Sequence, residues 1–187
     1  MNIEIEKKYD ITEHDLKIIE QSCDFISEKE IIDEYFDTDE YILFKNYYHL
    51  RKRNDNYELK IETTDRSTGI DRSQEYETLE EINEQLKKFH INITHTIGQI
   101  TIRTIRKKYS YEYKGYTVIF DIDDFELGSR YEIEILVKDD ENVDGNKIIE
   151  DLRNHLGLTA PLFTQPGKAV CAAKKQNPAA YKVLLER

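Results

Sequence analysis

Glu4, Glu6 and Lys8 stand at alternate positions within the first nine residues, interleaved with Ile3 and Ile5. In a strand, alternate side chains share a face. Two carboxylates and an ammonium would therefore point one way and the isoleucines the other. Adjacent carboxylates repel unless a cation sits between them. The spacing fits either a solvated edge strand or half of a site for a hard divalent cation, with a lysine beside it.

The same alternation recurs along the chain. Arg51 and Arg53 share a face, joined by His49. Glu58, Lys60 and Glu62 oppose Leu59 and Ile61. Glu75 aligns with Glu77, and Arg106 with Lys108. Asp121 and Asp123 oppose Phe120 and Ile122, and Glu132 and Glu134 oppose Ile133, Ile135 and Val137. Two architectures accommodate this. One is an apolar-cored sandwich with a charged skin. The other is an inverted barrel whose interior carries the charge. Two features favour the barrel. Some strands offer only basic i, i+2 pairs and others only carboxylate pairs, whereas a solvated face more often mixes signs. Amphipathic helices elsewhere in the chain also need apolar partners, which the other strand faces supply. A charged interior is costly unless ions and ligands compensate it. Mg²⁺ or Mn²⁺ suits the carboxylates, and polyphosphate suits the arginines and lysines.

The elements that must position these residues can be read from periodicity. Residues 2–9 alternate as a strand. Thr12 with Asp15 opens a helix carrying Leu16, Ile19 and Cys23. Strands are predicted at Ile31–Phe36, Tyr48–Arg53, Tyr57–Thr63, Ser73–Thr78, Gln99–Tyr113, Tyr116–Phe125 and Arg130–Lys138. Thr78 with Glu81 opens an amphipathic helix through Phe89. A further helix spans Asn146–Leu156 and is stopped by Gly157. The tail Pro166–Arg187 reads as helix broken near Pro178. Many antiparallel strands with few helices predict a closed or nearly closed barrel with helices outside.

Composition sets the outer bounds. The 187 residues suffice for one domain with a substantial core, residues 1–187. A net charge of −11 disfavours non-specific nucleic-acid binding. No apolar run approaches a membrane span, and no apolar signal segment opens the chain. Cys23 and Cys171 read as free thiols. The expectation is a soluble cytoplasmic protein with no membrane or nucleic-acid partner.

Taken in order, the segments EIEKK, DEYFDT, HLRKR, YELK, QEYE, the Arg106 strand, VIFDIDDF and YEIEI resemble the signature segments of the CYTH, or triphosphate tunnel metalloenzyme, superfamily. The tail PGKAVCAAKKQNPAAYKVLLER resembles the C-terminal stretch of the eukaryotic thiamine triphosphatases within it. The resemblance implies an α+β fold, a closed eight-stranded antiparallel β-barrel with helices packed outside. It also implies Mg²⁺-dependent hydrolysis of a small-molecule triphosphate in the barrel's interior. By the same resemblance, Glu4, Glu6 and Glu134 hold a metal. Glu75, Asp121 and Glu132 hold, or lie near, a second metal or the attacking water. Lys8, Arg51, Arg53, Lys60, Arg106 and Lys168 clamp phosphate oxygens, Lys60 serving catalysis as well. Glu58, Glu62, Glu77, Lys108 and Asp123 share these faces, while Lys7 and Lys52 face outward. His14, His90, His95 and His155 are expected at the surface or at element ends; His49, on the face of Arg51 and Arg53, is expected at the surface, the alternative being contact with the organic end of a substrate. Tyr35 and Tyr109 are expected either in the tunnel or in barrel packing.

The chain has no Trp, so a platform for a thiazolium ring would come from its 13 Tyr and 7 Phe. Inorganic tripolyphosphate and nucleoside triphosphates therefore stand beside thiamine triphosphate as substrates. Two other readings share the clamp: a class IV adenylate cyclase, and a polyphosphate-binding module without turnover.

Overall fold

A computed structural model describes residues 2–62, 71–126, 128–138 and 144–186. In chain order it contains β1 (Asn2–Asp10), α1 (Glu13–Ser22), β2 (Asp24–Asp37), α2 (Ile42–Lys45), β3 (Tyr48–Arg53), β4 (Asn56–Glu62) and β5 (Asp71–Tyr76). There follow α3 (Leu79–Leu86), β6 (Ile97–Tyr113), β7 (Tyr116–Phe125), β8 (Gly128–Lys138), α4 (Gly145–Leu156), α5 (Lys168–Gln176) and α6 (Pro178–Glu186). The strands form a closed barrel in the order β1-β5-β4-β3-β2-β6-β7-β8. No helix among the described residues is long and apolar enough to cross a membrane.

Local chemistry sets the element boundaries. Thr12 and Thr78 cap α1 and α3 by accepting from the N–H groups of Asp15 and Glu81. Gly157 ends α4 in the left-handed region, at φ 77°. The two-residue turns Asn54-Asp55 and Lys114-Gly115 both have positive φ at both positions, the geometry that matches strand twist in tight hairpins.

The chain divides into two compact units. The first comprises Met1–Glu30, Thr63–Ser73 and Thr104–Thr164; the second comprises Ile31–Glu62, Gln74–Arg103 and Gln165–Arg187. In the first, Ile5, Val118, Phe120, Ile133 and Ile135 form one apolar strand face. It packs on Ile19 of α1 and on Ile149 and Leu152 of α4. In the second, Leu50, Leu59 and Ile61 pack on Leu43 of α2 and on Ile82 and Leu86 of α3. Each unit's apolar strand face is thus the helix-covered one, and the charged face is the inner face of the barrel wall. The choice left open by the alternation falls to the inverted barrel.

Besides shifts of one or two residues at other strand ends, three differences from expectation have a physical reason. β2 begins at Asp24 rather than Ile31, because its first half carries charges on both faces and shows no period of two. The helix opened by Thr78 ends at Leu86 and continues as a 3₁₀ turn, Lys87–Phe89. The four-residue α2 is too short to leave a periodic signal. It is fixed by Asp37, whose carboxylate accepts from the N–H groups of Thr38, Leu43 and Phe44.

Candidate functional site

In the first unit, strand register stacks the charged face into rows. One row reads Lys108, Asp121, Glu132, Lys8, so two facing carboxylates are flanked by two ammonium groups. The row on one side reads Arg106, Asp123, Arg130, Asp10. On the other side, Glu6 faces Glu134, and the row continues to Ile119 and Ser110 without a basic residue. Directly opposed like charges are unfavourable. Burial, Glu4 and Asp121 together push the Glu134 carboxyl above the usual carboxylate range. Glu4 and Glu6 are themselves buried, with the Ser73 hydroxyl 3.4 Å from Glu4 Oε1 and Lys8 Nζ 2.6 Å from Glu6 Oε1.

Arg106 organises the basic end of this face. Its guanidinium donates to both oxygens of Asp123 at 2.6 and 2.7 Å, to Asp121 Oδ2 at 2.5 Å and to Glu132 Oε2 at 3.3 Å. Burial works against its charge, but these carboxylates hold it firmly protonated. Asp121 is fully buried, and its Oδ1 accepts no hydrogen bond, with Lys108 Nζ at 3.6 Å. Burial raises its pKa against the pull of Arg106 and Lys108.

The second unit presents the other charged face. Arg53 grips Asp33 through two bonds, of 2.7 and 3.0 Å. Arg51 donates to Glu58 at 2.7 and 2.8 Å and lies 3.7 Å from Glu75. Lys60 Nζ is 3.9 Å from Glu75. Burial disfavours ionisation of Asp33, but Arg53, Arg51 and Lys168, the buried first residue of α5, hold its pKa below the usual range.

The predicted site residues on strands fall on these two faces, and Lys168 opens α5. Glu4, Glu6, Lys8, Arg106, Asp121, Glu132 and Glu134 lie in the first unit, and Arg51, Arg53, Lys60, Glu75 and Lys168 in the second. Sorting by sign does not survive folding, since every basic cluster is interleaved with carboxylates. Two buried residues that the alternation did not single out join the faces. Asp33 lies on β2 with Ile31 and Tyr35 two residues away, and Arg130 lies on β8 with Glu132 two residues away, so no like-charged i, i+2 pair marks either. His49 is buried rather than at the surface, 3.2 Å from Glu62 and edge-on to Tyr35. Tyr109 belongs to barrel packing, against Phe25, whereas Tyr35 sits opposite Arg51 on the charged face. Lys7 does face outward, but α4 covers it, with Asn146 and Glu150 accepting from its ammonium.

Among the described residues, no group of three or more His, Cys, Asp or Glu is arranged to hold a metal ion. The predicted ligands share a face without forming a coordination shell. Their chemistry nevertheless fits a hard dication. All the donors are carboxylate oxygens. Across these rows and Glu4, the carboxyl groups of Glu4, Glu6, Asp10, Asp121, Asp123, Glu132 and Glu134 outnumber the basic groups of Lys8, Arg106, Lys108 and Arg130 by three. The surplus lies where Glu6 meets Glu134.

The model of one protein family, described as the CYTH domain, matches residues 2–161. No curated protein matches the sequence. Among solved structures, a candidate adenylyl cyclase from Hippeastrum, described as having a dominant triphosphatase activity, superposes with a TM-score of 0.65 at 17% identity, covering 95% of this chain and 98% of its own. A protein from Pyrococcus horikoshii OT3 gives 0.62 at 20% identity, covering 92% and 99%. A candidate adenylate cyclase from Bacillus halodurans gives 0.53 at 17% identity, covering 88% and 94%. At these identities the likeness is one of fold.

Proposed function

The chain belongs to the CYTH domain family, and on that premise we propose that it hydrolyses a small-molecule triphosphate with the help of a divalent cation. The substrate is thiamine triphosphate, cleaved to thiamine diphosphate and phosphate, or inorganic tripolyphosphate. The observation that carries this reading is the row in which Glu6 faces Glu134 without a basic residue, beside rows that Lys8, Lys108, Arg106 and Arg130 neutralise. A module that only bound polyphosphate would need the cations and not this surplus of carboxylates.

Glu4, Glu6 and Glu134 would hold the cation, Mg²⁺ or Mn²⁺, with Asp121 and Glu132 as the next carboxylates in reach of that face. Bound there, a hard dication supplies charge neutralisation for phosphate oxygens. The rest of the work falls to side chains. Arg51 and Arg53 are held by Glu58 and Asp33 with their guanidinium planes fixed, so phosphate binding costs little further ordering. Lys60, Lys8, Arg106 and Lys168 add charge for the oxygens whose negative charge must be met during phosphoryl transfer. Asp121, with its raised proton affinity and open Oδ1, is suited to take a proton from the attacking water. Glu75 and Glu132 keep the neighbouring cations in place.

A second reading follows from the likeness to the Hippeastrum and Bacillus halodurans proteins: attack by a ribose 3′-hydroxyl, with pyrophosphate leaving. One assay separates the two. Thiamine triphosphate, tripolyphosphate, ATP and GTP are each incubated with and without Mg²⁺, and orthophosphate and pyrophosphate are measured separately. Mg²⁺-dependent orthophosphate release is expected. Pyrophosphate release from ATP alone would favour the cyclase, and release of neither would overturn the enzymatic reading.

A further inference from the structure

Arg130 lies on β8 two residues before Glu132, on the charged face, and is only 5% exposed. Its Nη2 donates to Glu132 Oε1 at 2.5 Å, but its Nε and Nη1 donate to nothing. The rings of Phe125 and Phe163 lie 5.9 and 5.4 Å from its Cζ. They hold the guanidinium by cation–π attraction, and its remaining N–H groups are free to bond in its own plane. Register places Arg130 between Asp123 on β7 and Asp10 on β1, and two residues along β7 it places Thr104 opposite Phe125. Thr104 is 1% exposed, and its Oγ1 likewise has no partner.

Donors left unpaired out of water are costly. Arg130 and Thr104 leave three such atoms at one end of one sheet face. A cation is repelled by the guanidinium. A tetrahedral oxyanion instead brings several strong acceptors in a small volume, and Arg is the side chain best shaped to meet it. Of the carboxylates around Arg130, Glu132 and Asp123 are held by Arg106 as well and Asp10 faces it from β1, while its only side-chain bond among the described residues runs from Nη2 to Glu132.

We propose that Arg130 and Thr104 form a phosphate subsite at the β7–β8 turn end of the charged face. It takes the end group of the bound phosphate chain or the orthophosphate released from it. The proposal rests on the triphosphatase reading for the source of the phosphate, and on geometry for the subsite itself.

Two conservative variants test it. Arg130→Lys keeps a cation beside Glu132 but removes Nε and Nη1; Thr104→Val keeps volume and every charge while removing Oγ1. Binding of inorganic tripolyphosphate and of orthophosphate to the full chain is measured by calorimetry with Mg²⁺ present, beside thermal melting. If the subsite holds the end of the chain, each variant weakens tripolyphosphate about tenfold, the size of one charge-assisted hydrogen bond. If it holds the released product, orthophosphate weakens by the same factor while tripolyphosphate is unchanged. Unchanged affinity for both anions in both variants overturns the proposal, as does failure of the wild-type chain to bind either. Should Arg130→Lys melt far below wild type, Thr104→Val decides alone. If the wild type releases no phosphate from any triphosphate but its orthophosphate affinity falls in the variants, the function fails and the subsite stands.

Discussion

Lys8 Nζ lies 2.6 Å from Oε1 of Glu6, two residues back along the same face of β1. The ammonium reaches out of its own row, where it faces Glu132, toward the row where Glu6 meets Glu134. Part of the carboxylate repulsion is thus met from within the chain, and the rest is left for a ligand.

The charge surplus predicts opposite outcomes for two substitutions in chelator. Lys8→Met adds to the surplus and should lower Tm. Glu134→Gln removes a carboxylate whose ionisation is disfavoured in the fold, so Tm should hold or rise by about 2–4 °C, as for ~1 kcal/mol in a chain of this size. Mg²⁺ should stabilise the wild type by mass action and Glu134→Gln much less. A fall in Tm for Glu134→Gln in chelator, or a full Mg²⁺ response, would remove Glu134 from the ligand set.

Arg53 and Asp33 should separate binding from restraint. Arg53→Ala removes a charge-assisted phosphate contact of about 1.5–3 kcal/mol, read as a KM for tripolyphosphate raised about tenfold or more. It also leaves Asp33, 3% exposed, without its main partner, so Tm should fall. Asp33→Asn frees the guanidinium from a competing carboxylate, and KM should hold or fall. Steady-state kinetics beside melting curves test this; a KM unchanged in Arg53→Ala would end its role in the clamp.

Gly145 reports on the covered side of β1. A Cβ there would stand 2.5 Å from Cδ1 and 2.8 Å from Cγ2 of Ile5. Gly145→Ala should therefore cost about 1–3 kcal/mol through overpacking. Adding Ile5→Val, which removes Cδ1, should recover part of that loss. Chemical denaturation of the two variants checks it, and a fully stable Gly145→Ala would contradict the packing of α4 on β1.

Asp15 supplies the pH dependence. Burial favours its neutral form, but the N–H groups of Thr159 and Ala160 and the Tyr131 hydroxyl all donate to its carboxylate and hold its pKa below the usual range. A group depressed in the fold contributes stability above its unfolded pKa, about 3.9, and loses it as pH falls through the folded value. Asp15→Asn should lose about 1.5–3 kcal/mol at neutral pH. The gap from wild type should narrow only below about pH 4. A gap constant from pH 7 to pH 2 would show that Asp15 is not ionised in the fold.

The sequence by itself determined which side chains share a face. Alternation is a local property of extended backbone, so Glu4 with Glu6, Arg51 with Arg53, and Glu132 with Glu134 could be paired without coordinates. So could helix starts such as Thr12 and Thr78, whose caps are made within one turn. What alternation could not supply was which face the helices cover. That depends on distant partners: Ile149 and Leu152 reach Ile5 and Ile133 only once α4 docks. The same limit hid Arg130 and Asp33. Neither forms an i, i+2 pair of like charge on its strand, and the partners that bracket it, Asp123 for the one and Arg53 for the other, come from neighbouring strands. It also misplaced His49, buried among Tyr35, Phe44 and Glu62 from three other segments. Lys7 and Lys8 illustrate the division most directly. Their opposite directions follow from the pleat, but whether each meets water, a helix or a carboxylate was decided by what closed over it.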